Sequence, residues 1–423
     1  MTIRQVASAG LAYLNARRHA RGLTDRGRIA AYQQRQVARL LDHAARRFPF
    51  YASYAGQPLS EWPVLDKATL LEHFDRLNLA GLTAGEVRAA LERGEGRIGS
   101  HAIGRSTGTS GNRGYYVISD LERFTWLGTI LAKALPDALW QRHRVALALP
   151  TEASLYHSAG AGSRIALRFF DLAQGPESWA DELAAFDPDT LVAPPKVLRW
   201  LAERGRLTAR NLFSGAEVLD PLDRAVIEAV SGRRLREIYM ATEGLFGVSC
   251  PHGTLHLAED VVHFEFERPD PASPLVVPLV TDFTRRSQAM IRYRMNDLIE
   301  LDPDPCPCGS AFQAVRRIEG RSDDVFHLSA ADGTIRLVTP DVLRNTVVDS
   351  DPAIQDYRVI QTGANAVLLA LPPDLPGAVA ARARQALGAH FAGRGLAPDI
   401  TLGPLEPTPF DRKLRRVRRE WQD

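Results

Sequence analysis

The chain has 423 residues, more than the roughly 100 to 200 of a usual domain, so two domains are expected and a minimal binding module is excluded. Hydrophobic residues make up 45% and charged residues 24%, which fits a globular protein and excludes a disordered or fibrous one. Fifty-two basic against fifty acidic side chains leave +2, no global field for nucleic acid, so any charged partner must be recognised locally.

No apolar run approaches the ~20 residues of a membrane helix, and the mildly apolar Val6 to Leu14 is soon followed by Arg17, Arg18 and Arg21. A soluble, cytoplasmic protein with no signal peptide and no membrane partner is expected. A transit peptide would suit the Arg-rich, acid-poor start, but arginine is abundant everywhere. The only lysines are Lys67, Lys133, Lys196 and Lys413, which makes each an exception.

Val37, Leu40, Leu41, Ala44, Ala45 and Phe48 recur at i, i+3, i+4, i+7, i+8 and i+11, the stripe of an amphipathic helix, so the first hundred residues read as largely helical. Val145 to Leu149 and Thr190 to Ala193 are short apolar runs stopped by proline, the second followed by the helical pattern Val197, Leu198, Leu201. Asn211 to Phe213 reads as the next strand. Asp220 can N-cap a helix with Pro221 at its first position and Gly232 at its end, and Leu235 to Tyr239 follows as another strand. Strands alternating with helices at this spacing imply a parallel sheet with functional loops at the strand carboxyl ends.

After residue 260 the pattern changes. Val262, Phe264 and Phe266 alternate with His263, Glu265 and Glu267, and strands are expected at Leu275 to Thr281 and Met290 to Arg294, which suggests an antiparallel appendage. From about residue 322 a small α+β domain is expected: a hairpin at Ala331-Asp332-Gly333, a helix near Asp341 to Val348, a strand at Ala366 to Leu371 and a helix near Ala378 to Phe391.

Five segments carry side chains suited to chemistry. Ser106-Thr107-Gly108-Thr109-Ser110-Gly111-Asn112-Arg113-Gly114 can point hydroxyls and backbone N–H groups at phosphate oxygens, although it matches neither common nucleotide-binding fingerprint and would by composition equally be a polar surface turn. Tyr239-Met240-Ala241-Thr242-Glu243 places a ring, a hydroxyl and a carboxylate directly after a strand, twenty-two residues beyond Gly215-Ala216-Glu217. Arg292-Tyr293-Arg294-Met295-Asn296-Asp297 and Arg317-Ile318-Glu319-Gly320-Arg321-Ser322-Asp323-Asp324 offer an aspartate for ribose hydroxyls and an arginine for phosphate, or simply a salt-bridged surface. Asp411-Arg412-Lys413-Leu414-Arg415-Arg416 would alone read as a solvated basic run.

In this order and spacing the five resemble the motif series of the adenylate-forming (AMP-binding) superfamily, over essentially the whole chain. The short length, the early Ser/Thr/Gly loop, Trp62-Pro63-Val64-Leu65-Asp66-Lys67 and Cys306-Pro307-Cys308-Gly309 resemble its phenylacetate–CoA ligase-like branch. The resemblance implies an α/β fold: a large N-terminal domain over 1–321 for nucleotide and acid, and a mobile α+β domain over 322–423 joined by a hinge. It further implies that Thr107, Thr109, Ser110 and Gly111 embrace the β- and γ-phosphates of ATP; that Gly215, Ala216 and Glu217 line the adenine and Tyr239 stacks on it; and that Thr242 binds the α-phosphate. Glu243 would hold Mg²⁺, Asp297 the ribose hydroxyls, and Arg321 the ribose or phosphate. Asp323 matches the hinge and Lys413 the lysine that bridges the acid carboxylate and the α-phosphate.

Three positions depart from the pattern. Arg113 stands where proline often follows the loop, Asn296 replaces glycine before Asp297, and Arg412 replaces glycine before Lys413. The implied reaction follows from charge: a carboxylate attacking phosphate needs Mg²⁺ and a positioned cation, pyrophosphate leaves, and a thiol then takes the acyl group. A small carboxylic acid, most simply an aryl acid, and coenzyme A are the implied substrates. A carrier-protein phosphopantetheine arm offered in trans is the alternative acceptor, and a homodimer is left open.

Cys250-Pro251-His252 and Cys306-Pro307-Cys308 use every cysteine in two tight pairs. A Cys₃His set suits tetrahedral structural zinc, with His256 and His263 as alternatives to His252, and some members of the resembled branch carry zinc here. Three free or buried cysteines are the plain alternative. The competing class is a nucleotide-binding pseudoenzyme or zinc-stabilised scaffold, against which Glu243, Asp297, Arg321 and Lys413 together argue.

Overall fold

The computed structural model describes residues 2–105, 114–149, 164–270 and 273–421. The first helix, Ile3–Gly22, opens with a capping box: the Thr2 hydroxyl accepts from the Gln5 backbone N–H and the Gln5 side chain accepts from the Thr2 N–H. The second, Arg26–Arg47, is capped by Asp25 and buries the expected stripe, with Leu40, Leu41, Ala44 and Phe48 joining Tyr51, Trp62 and Phe246 in one core. Ile3–Gly22 lies against the helix Asp120–Ala134 so closely that a Cβ at Gly128 would come within 2.0 Å of the Ala9 carbonyl oxygen. Among the described residues no helix is long and apolar enough to cross a membrane.

Five strands run parallel in the order Ile165–Asp171, His143–Leu149, Thr190–Ala193, Asn211–Ser214 and Leu235–Ala241. Helices Pro176–Phe186, Pro195–Glu203 and Pro221–Ser231 alternate with them, the last capped by Asp220 and ended by Gly232 at φ +65°. The far edge of Leu235–Ala241 pairs antiparallel with Gly244–Ser249. From there the sheet continues through Leu255–Leu257, Ala314–Arg321, Asp297–Asp302, Leu275–Asp282 and Val262–Glu267, twelve strands in all with Tyr293–Arg294 at the side. The antiparallel strands are therefore no appendage: one strand serves both halves, because the chain reverses at Thr242 and Glu243 and pairs back along an edge still open. The strand expected over Met290 to Arg294 shrinks to Tyr293–Arg294. Arg292 sits at φ +49°, outside extended backbone, and Met290 and Ile291 instead bury their side chains in the core.

The last hundred residues build a core of their own from Phe326, Leu343, Val359, Leu369, Leu387 and Phe391. It is enclosed by the hairpin Phe326–Ser329/Ile335–Val338, the helices Pro340–Val348 and Gly377–Ala392, and a four-stranded sheet in the order Asp399–Pro404, Ala366–Leu371, Arg358–Gly363, Val417–Arg419. A small three-stranded sheet includes the antiparallel pair His101–Arg105 and Tyr115–Ser119, which flanks 106–113. Thr107, Thr109, Ser110 and Gly111 lie outside the described residues.

Candidate active site

Parallel strands all end on the same side of a sheet, so the loops after Asn211–Ser214 and Leu235–Ala241 open onto one region. There a cavity of about 2390 Å³ is lined by Gly215, Ala216, Glu217, Tyr239, Thr242, Glu243, Asp297, Arg321, Asp323 and Lys413, every expected nucleotide, hinge and reaction residue among those described. Sequence separation is closed by tertiary structure: Asp297 and Arg321 face each other in register on adjacent antiparallel strands, and Lys413 comes in from the C-terminal unit.

The groups are held in definite ways. The Tyr239 hydroxyl donates to Asp297 Oδ2 at 2.8 Å, and its ring lies 5.2 Å from that of Phe246. Burial pushes the Asp297 carboxyl above the usual carboxylate range, opposed by Arg321 and by the Tyr239 hydrogen bond. The Thr242 hydroxyl donates to Glu243 Oε2 at 2.8 Å, while Arg285, fully buried 4.7 Å from the Trp126 ring, donates to the Thr242 and Glu243 carbonyls at 2.8 and 3.2 Å. Ala216, which lines the cavity, adopts φ +67°, a left-handed conformation costly for a residue with a Cβ.

Lys413 is brought into this constellation by its neighbours. Burial pushes its ammonium below the usual lysine range and Arg321 pushes the same way, whereas Asp297, Glu217 and Glu243 pull it back. Glu217 does more than line a wall. Its carboxylate, raised by burial, pairs with Lys196 at 3.1 Å, and Lys196 Nζ also donates to the carbonyls of Pro409, at 3.0 Å, and Arg412. Three residues beyond Lys413, Arg416 grips Asp223 with two bonds of 2.7 and 2.9 Å and Asp356 with a third of 2.9 Å. Arg415 pairs with Asp324. Asn296, the departure from glycine, donates to the hinge candidate Asp323 at 3.0 Å.

Sequence reading missed three contributors. Lys67 lines the cavity near Glu243 and Asp323, its ammonium lowered by burial; Lys196 clamps the C-terminal run; and Arg285 fixes the Thr242–Glu243 turn. The rarity of lysine was the available signal for the first two. Nothing in the sequence distinguished Arg285 from forty-seven other arginines.

The cysteines assemble, with one correction. Cys250, Cys306 and Cys308 gather around His256, all four ligand atoms within 4.8 Å of one another, and His252 is not among them. His252 lies exposed in the turn closed by the Gly253 N–H to Cys250 carbonyl bond, whereas His256 is buried on the returning strand opposite Ala314, beside the loop that bears the other two cysteines. His263 instead bonds Gln33 at 3.0 Å. The Cys250–Cys306 sulfur separation is 3.7 Å and that of Cys308 Sγ from His256 Nε2 is 3.3 Å. A tetrahedron with bonds of about 2.3 Å has edges of about 3.8 Å, so the set fits zinc. His256 Nδ1 stands 3.0 Å from the Phe312 carbonyl, an outer contact that orients the ring.

No family model matches the chain. No curated protein matches it either. Solved structures do. A 2-hydroxyisobutyryl-CoA ligase in its postadenylation state superposes with a TM-score of 0.65 at 18% identity, over 93% of this chain and 90% of that one. The same ligase in its thioesterification state gives 0.51 at 19% identity over the same shares. ATP-bound MatB from Rhodopseudomonas palustris gives 0.55 at 17% identity, covering 75% and 67%, and the anthranilate CoA ligase AuaEII with anthranoyl-AMP gives 0.51 at 14%, covering 73% and 64%. The chain thus has the two-part α/β fold of the adenylate-forming acyl-CoA ligases.

Proposed function

We propose that the chain is an acid–thiol ligase: it activates a carboxylic acid with ATP to an acyl-adenylate, releases pyrophosphate, and transfers the acyl group to a thiol, coenzyme A in the simplest case. The observation that carries this reading is Lys413, delivered from the C-terminal unit into a cavity shared with Arg321, Asp297, Glu217 and Glu243.

The chemistry is a problem of charge. An acid carboxylate and an α-phosphate repel, and a compact ammonium between them lowers that barrier without taking part in any covalent bond. In this reading Lys413 bridges the two, Thr242 directs its hydroxyl at the α-phosphate, and Arg321 neutralises the opposite edge. Asp297, with Oδ2 already taken by Tyr239, offers Oδ1 to the ribose hydroxyls. The Tyr239 ring and the Gly215-Ala216-Glu217 backbone bound the adenine. Glu243 would hold Mg²⁺, which supplies further neutralisation of the phosphates. Cys250, His256, Cys306 and Cys308 would hold zinc with all four positions filled by protein, a staple and no centre of reaction.

Domains over 1–321 and 322–423, pivoting at Asp323, complete the proposal. With Lys413 engaged the first half-reaction is set up; rotation would withdraw it and admit the thiol. A carrier-protein arm would use the same step in trans. The test is acid-dependent exchange of labelled pyrophosphate into ATP without thiol, over a panel beginning with the aryl acids that the branch resemblance implies. Exchange with any acid supports adenylation; silence across the panel while ATP binds refutes it.

A further inference from the structure

The cavity continues beyond the polar groups. Val145, Leu147 and Leu149 all line it, and because strand residues alternate faces, three successive same-face positions mean that it runs along that strand for about 13 Å at 3.3 Å per residue. Opposite them the helix Asp120–Ala134 contributes Trp126, Ile130 and Ala134, spaced by four, and the cavity extends on to Leu135, again about 13 Å at 1.5 Å per residue. From Trp126 to Leu135 the helix wall matches the strand wall in length.

The direction is also defined. Trp126 sits at the reacting end, under Arg285, which holds the Thr242 and Glu243 carbonyls. Ala134 sits at the far end, where its carbonyl lies 3.4 Å from Arg236 at the start of the strand that leads to Thr242. The lobe therefore descends from the reacting end, between helix and sheet, to the amino ends of the strands. Among the described residues the sheet face that bears Val145, Leu147, Val192, Phe213, Ile238 and Met240 is apolar except for Thr190, whose hydroxyl is spent on Asp189 at 2.7 Å. Arg236 beneath it is consumed by the Ser249 carbonyl at 2.8 and 3.1 Å and lies 4.3 Å from the Phe213 ring. On the helix wall Arg123 lies toward the reacting end and pairs with Asp120 at 3.2 Å, so among the described residues the far half of the lobe presents no cation to a second carboxylate.

We infer that the acid is a monocarboxylate with an extended, uncharged alkyl tail of about ten carbons, seated in this lobe with its carboxyl at Thr242 and Lys413. At about 1.3 Å of advance per carbon, from bonds of about 1.5 Å, such a tail matches the walls, whereas a single ring next to the carboxyl leaves most of them unfilled. The inference rests on the proposed adenylation and specifies its substrate.

The experiment is pyrophosphate exchange with the full chain over straight-chain acids from C2 to C14, with benzoic, phenylacetic and α,ω-dicarboxylic acids as further arms. The expected kcat/KM rises about fourfold per methylene to about C10 and then levels or falls, with the dicarboxylate of equal length at least a hundredfold poorer. Ala134→Phe, which fills the far end, moves the optimum to shorter acids; Val145→Phe, from the opposite wall, asks the same if the first does not fold, and the length series decides alone if neither does. A flat series, an aryl acid outrunning the best alkanoate, or folded variants with unaltered chain-length preference overturns the inference while leaving adenylation standing. Absence of exchange with every acid, with ATP still bound, brings down adenylation itself and the inference with it.

Discussion

Asp223→Asn tests how the C-terminal unit is held over the nucleotide. Asp223 is 1% exposed on the helix Pro221–Ser231, and its two oxygens receive Arg416 at 2.7 and 2.9 Å and Arg199 at 3.0 Å. Removing one partner of a buried charge pair costs about 2 to 5 kcal/mol. Here the lower figure applies, because Arg416 keeps Asp356 at 2.9 Å and Arg199 keeps Glu203 at 2.7 Å. About 2 kcal/mol taken from the docked arrangement alone lowers the docked-to-undocked ratio about 30-fold. Adenylate formation needs Lys413 in the cavity and should fall by up to that factor. Attack of thiol on a supplied acyl-adenylate needs the unit turned away, and should hold or rise. The assay is the ratio of the two half-reactions in the unmutated protein and the variant. Equal loss in both, or adenylation unchanged, would show that the Asp223–Arg416 contact does not set the docking equilibrium.

Lys413→Ala should abolish adenylate formation while largely sparing the thiol step; and because Lys413 acts as a cation whose pKa burial lowers, adenylation in the unmutated protein should decline with rising pH below the ordinary lysine range near 10.4, the thiol step showing no such limb. Metal analysis should find one zinc per chain, lost when Cys306 and Cys308 become serine and reduced by His256→Ala but not by His252→Ala; zinc content indifferent to His256 would contradict the ligand set. Burial would raise Asp260, but Lys133 at 2.7 Å and His19 outweigh it and hold the carboxyl down to about 2. Against an unfolded value near 3.9 this contributes about 2 to 3 kcal/mol, fully present above about pH 4 and lost as pH falls through about 2. Asp260→Asn should therefore lower urea stability at pH 7, with the gap to the unmutated protein narrowing in acid; parallel curves at all pH values would exclude the linkage.

Local chemistry wrote much of this molecule directly into the chain. Asp220, Pro221 and Gly232 bracket a helix wherever they stand in that order, the alternation at Val262 to Glu267 marks a half-buried strand, and Asp332-Gly333 turns a hairpin. The order of the motifs likewise indicated a fold and a set of cavity residues, because each motif is a short loop bound to its own strand end. Partners that meet across the sheet or between the two units were not legible. His252 stands two residues from Cys250 and His256 six, so sequence proximity favoured the wrong one, and only the antiparallel register that buries His256 and leaves His252 exposed selects between them. Asp223 and Arg416 carry no local signature, and the rarity of Lys196 did not say what it holds, since these roles arise from contacts about two hundred residues apart. The length of the apolar lobe belongs to neither wall alone. It exists because a helix and a strand, each with an apolar face that sequence could identify, lie opposite each other without closing the space between them, and that separation is a property of packing.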